Sequence, residues 1–95
     1  MTVGVQWIGE MRAADAAQAA YFRGLLADQR EDTVSQLERS RARLRECMAG
    51  EPVVGLRTMA RMRFDVRELE AKKRELDRLI AALDRRFSAL WSRRG

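Results

Sequence analysis

The sequence predicts an all-α protein built as a long antiparallel two-helix coiled-coil hairpin, and three observations carry that prediction. One Pro and six Gly in 95 residues, with 46% hydrophobic and 35% charged side chains, suit long helices rather than a turn-rich β fold. Two breaker-poor stretches flank Gly50-Glu51-Pro52, the strongest stop signal in the chain. The second stretch repeats apolar residues alternately three and four apart along its whole length. At this length the chain, residues 1–95, makes one domain.

Residues 1–9 contain Val3, Val5 and Trp7 in strand-like alternation, but no second strand candidate follows, so they are expected to form an extended arm. Residues 10–49 are dominated by Ala, Leu, Arg, Glu and Gln, strong helix formers, and form the first helix. Gly24 is its one breaker, and a break there would turn the hairpin into three helices. Residues 50–55 are the turn, with Arg43 and Arg45 suited to the negative end of the preceding helix. Residues 56–93 are the second helix. Helices of about 38 residues would each span about 57 Å at 1.5 Å per residue.

Met59, Met62, Val66, Leu69, Leu76, Ile80, Leu83, Phe87 and Leu90 fill nine of ten consecutive a and d heptad positions, Lys73 taking the tenth. Such a stripe needs a facing helix. The first helix offers Phe22, Leu26, Val34, Leu37, Leu44 and Met48, with Ala13, Ala16 and Ala20 toward its start. Folding at the turn pairs positions whose numbers sum to about 103 and sets Arg30 opposite Lys73, a like-charged layer in mid-seam. One seam leaves apolar surface uncovered, so the hairpin is expected to pair into a helical bundle, as a homodimer or with another protein.

The chain has no His and one Cys, which removes the commonest acid/base and metal ligand and any disulfide framework. No catalytic, cofactor-binding or metal site is expected, and an enzyme with an Arg-lined pocket between the helices is the remote alternative. No apolar run is long enough to span a membrane and no secretory leader is legible, so the expected location is the cytoplasm. The net charge is +5, and residues 39–67 alone carry eight arginines against three acids. Arg39, Arg41, Arg43, Arg45, Arg57, Arg61, Arg63 and Arg67 are therefore the candidates for binding an anionic partner, because guanidinium forks suit phosphate and carboxylate. They equally suit a solvated helix face. The leading expectation is a non-enzymatic protein–protein interaction module, such as an adaptor, chaperone or assembly component. The alternative is a nucleic-acid-associated protein using the arginine-rich tip.

Trp7-Ile8-Gly9 resembles the W-x-G tripeptide of small helical-hairpin substrates of type VII secretion, although in that family the tripeptide sits in the turn. As an architecture, the charged antiparallel hairpin also resembles stalk and chaperone proteins of flagellar and type III export, which implies binding to export components. That likeness rests on shape alone.

Overall fold

A computed structural model describes the backbone of residues 2–50 and 53–92 and the side chains of residues 12–50 and 53–92. Two helices, α1 (Thr2–Met48) and α2 (Leu56–Ser92), pack against each other as an antiparallel hairpin. The molecule measures 74 × 23 × 15 Å with a radius of gyration of 21.0 Å, against about 12 Å for a compact chain of this length.

α1 ends where the sequence places its stop. Gly50 adopts φ +85°, a left-handed conformation open to Gly without a Cβ penalty. Its amide donates to the Cys47 carbonyl, and the Ala49 amide to that of Arg45, satisfying carbonyls that α1 would otherwise leave orphaned. α2 begins with the Met59 amide on the Gly55 carbonyl. Glu51 and Pro52, at the centre of the expected turn, lie outside the described residues, as does Arg93 at the expected end of the second helix.

Two expectations about α1 are corrected. It starts at Thr2, so residues 2–9 form its first two turns rather than an extended arm. With no strand to pair with, the β preference of Val3 and Val5 has nothing to act on, and the helix continues back from Glu10. The side chains of Trp7 and Ile8 lie outside the described set. Nor does the helix break at Gly24, which is exposed with nothing within 4 Å of where a Cβ would stand. The chain forms two helices, not three.

Burial reveals the seam. On α2, Val66 and Leu76 are buried and the other positions of the ten-residue stripe, including Lys73, are half-buried. The matching stripe on α1 runs Ala16, Ala19, Arg23, Leu26, Arg30, Thr33, Leu37, Ser40, Leu44 and Cys47, again alternately three and four apart and nowhere exposed. Leu26, Leu37 and Leu44 belong to it as expected. Phe22 does not, being 49% exposed, nor does Met48, and Val34 sits half-buried beside Thr33. Each of these three adjoins a seam residue, and the smaller or polar neighbour occupies the seam.

The register also differs. Arg23 meets Asp84, Arg30 meets Asp77 and Trp91 meets Ala16, pairs that sum to 107 rather than 103, a shift of about one helical turn. Helical side chains lean toward the N-terminus of their own helix. In an antiparallel pair that adds about one residue on each side, and the turn, centred near residue 52, supplies part of the remainder.

Candidate interaction surfaces

The two arginines within the α1 seam are held by acids on one flank of α2. Arg23 donates to both carboxylate oxygens of Asp84, at 2.5 and 3.1 Å. Asp77 accepts from Arg30 on one oxygen and, at 3.0 Å, from Lys73 on the other. The like-charged layer expected in mid-seam is thus bridged by a single carboxylate. Nearer the tip, Arg41 donates to Glu70 at 3.3 Å. Glu70, Asp77, Asp84 and Trp91 are spaced by seven along α2, so they form one column beside its stripe. At the open end the Trp91 indole donates to the Ala16 carbonyl at 2.9 Å and the ring stacks on Phe87.

Hydrogen bonds from Arg30, then Lys73, hold the Asp77 carboxyl below the ordinary carboxylate range despite some desolvation. The hydrogen bond from Arg23 does the same for Asp84, and Asp84 in turn raises the already high pKa of Arg23. Thr33, only 1% exposed, donates its hydroxyl to the Gln29 carbonyl and so enters the seam without an unmet polar group.

The opposite flank of the seam is apolar at its centre. Phe22, Leu25, Leu26, Leu79, Ala82 and Leu83 line an open groove of about 530 Å³, with Gln29 and Arg86 at its rim. Phe22, Leu25 and Leu79 are each more than two-fifths exposed. Asp32 lies seven residues beyond Leu25, and Glu75 seven before Ala82, so both acids sit at the tip-ward end of this face. Arg86 stands toward the open end, its guanidinium over the Phe87 ring at 5.2 Å.

The eight tip arginines are all exposed, and the hairpin divides them. Arg39 and Arg43 lie with Asp65 and Glu68 in a shallow groove on the same face as Phe22 and Leu79, and Arg61, four residues before Asp65, falls there too. Arg41, turned to Glu70, marks the other face. Arg45 joins it one turn on, and Arg63 and Arg67 precede Glu70 by seven and three. Arg57 belongs to neither group, lying on the back of α2. Among the described residues no helix is long and apolar enough to cross a membrane. The chain matches no family model, no curated protein and no solved structure.

Proposed function

We propose that the chain is a non-enzymatic coiled-coil interaction module of the cytoplasm that works as a homodimer, with the groove around Phe22, Leu25 and Leu79 as its docking face. The uncovered apolar groove carries this reading. The chain exposes 7683 Å², whereas a compact monomer of 10.9 kDa exposes about 5,600 Å². The excess of roughly 2,000 Å² is more than twice the roughly 800 Å² per partner of a standard interface.

Charge selects the arrangement. A second copy with its tip pointing the other way, related by a twofold axis at the layer of Leu25 and Ala82, brings Arg86 of each copy toward Glu75 of the other. It also keeps the two tips, each carrying +5 over residues 39–67, at opposite ends of the assembly. α2 then stacks on its own copy. The free Cys47 thiol, buried in the seam, suits a reducing compartment.

Sedimentation equilibrium should give about twice the 10.9 kDa chain mass at micromolar concentration, and Leu79→Glu should give the monomer with its helix content kept. In a Cys47→Ala background, Ala82→Cys should cross-link into a dimer on oxidation, because only the tip-opposed arrangement sets Ala82 against its own copy. A monomeric wild-type chain would overturn the reading, and a dimer that Ala82→Cys fails to cross-link would overturn the arrangement.

A further inference from the structure

We infer that the face of the hairpin carrying Arg41, Arg45, Arg63 and Arg67 is a binding surface for the phosphate backbone of nucleic acid. The fold sorts the tip charges between two faces. On the groove face Arg39, Arg43 and Arg61, with Lys72 seven residues after Asp65, stand among Glu46, Asp65 and Glu68, four bases with three acids. On the other face the four arginines have only Glu38 and Glu70 beside them, and Arg74 follows seven residues after Arg67. Chain position alone does not separate these groups, since α1 alternates between the two faces through Arg39, Arg41, Arg43 and Arg45.

The geometry suits a chain of phosphates. Arg41 and Arg45, like Arg63 and Arg67, are one turn apart, about 6 Å along the axis, and the two pairs lie side by side on helices roughly 8–10 Å apart. Arg41 lends its guanidinium to Glu70 only at 3.3 Å with its side chain 46% exposed, so a phosphate can compete for it. The one aromatic beside this array is Phe64, three residues before Arg67 and 53% exposed, a single ring rather than a run of stacking platforms, and no helix end projects from the array, so it suits contact with the backbone rather than base readout. A membrane surface fits less well. The exposed apolar residues Met48, Val53 and Leu56 stand at the end of the hairpin beyond the arginines and Phe64 alone lies beside them, whereas an interfacial face needs a row of apolar groups alongside its charges. Because the array and the apolar groove lie on opposite faces, pairing through the groove leaves the array open, and the inference does not depend on that pairing.

The experiment compares two triple variants that remove equal charge from opposite faces, Arg45→Gln/Arg63→Gln/Arg67→Gln and Arg39→Gln/Arg43→Gln/Arg61→Gln, with circular dichroism confirming that both stay helical. Binding is read by fluorescence anisotropy with a short random-sequence duplex DNA. Four phosphate contacts predict a log–log salt slope of about −3.6 for the wild type, hence roughly a 150-fold loss of affinity between about 50 and 200 mM salt. The first triple variant should lose at least about tenfold in affinity and most of that slope, and the second less than about threefold. Equal losses in the two variants, or none in the first, would overturn the inference. So would binding to phosphatidylserine vesicles that displaces the DNA and disappears in Met48→Gln/Leu56→Gln.

Discussion

The sequence offers Phe22 and Leu37 alike as seam residues of α1, and the structure separates them. Leu37 is 3% exposed in the middle of the seam, while Phe22 is 49% exposed beside it. Leu37→Ala removes three buried carbons, about 2.4 kcal/mol at roughly 0.8 kcal/mol each, and the cavity left behind adds to this within the usual range of about 2–5 kcal/mol. The hairpin is open to solvent on both sides of the seam, so its neighbours can close in and the cost should stay near 2.5–3 kcal/mol. Total stability is expected at about 5–14 kcal/mol, so this loss is a large fraction and should lower Tm by about 10–20 °C. Phe22→Ala gives up only half a side chain's burial, about 1 kcal/mol, and recovers part of it through the better helix propensity of Ala. Urea titrations followed by circular dichroism over a hundredfold range of protein concentration separate the two. The Leu37→Ala loss should be similar at every concentration, while the Phe22→Ala loss should be small when dilute and grow as the dimer forms. A Phe22→Ala loss that matches or exceeds that of Leu37→Ala in dilute solution would refute the seam described here.

Two further outcomes are expected. The lowered carboxyls of Asp77 and Asp84 stabilise the fold fully above their ordinary value of 3.8 and lose that contribution as pH falls through their lower folded values. Stability measured by urea titration should thus be flat with respect to these groups at neutral pH and fall below about pH 4, and Asp84→Asn should flatten part of the fall; an unchanged acid limb would contradict the pairing of Asp84 with Arg23. Gly24→Ala should raise stability by up to about 1 kcal/mol, since the position is helical and a Cβ there meets nothing within 4 Å, and a measured loss would show that the helix does need Gly there.

The helical hairpin and the α2 seam were legible in the sequence because large apolar residues occupy nine of ten stripe positions, so period and hydrophobicity agree. α1 was harder, for a physical reason. Its stripe holds two Ala, Arg23, Arg30, Thr33, Ser40 and Cys47 besides three Leu, and a reading that follows bulk drifts one position to Phe22, Val34 and Met48. The available signal was the sevenfold spacing of Ala16, Arg23, Arg30, Leu37 and Leu44 against the acids at 70, 77 and 84 on the other helix. Arg23 was missed as a seam residue altogether, since a base on a buried stripe makes sense only once its carboxylate is in view. The tip arginines were found as a group, but their division between two faces appears only after the phase of each helix is fixed.

Among the described residues the contacts between α1 and α2 all span the turn at Gly50, so the sequence separation of touching residues grows steadily with distance from it and is 75 for Trp91 and Ala16. Closing a longer loop costs more entropy, and non-local contacts are rewarded only after that cost is met. Such a hairpin closes like a zip, from the tip outward. Of the hydrogen bonds described between the helices, the Trp91 indole on Ala16 is the one farthest from the turn, among small alanines. Opening is therefore expected to run from this end of the hairpin toward the turn, and Trp91 stands there as an intrinsic fluorophore that reports it.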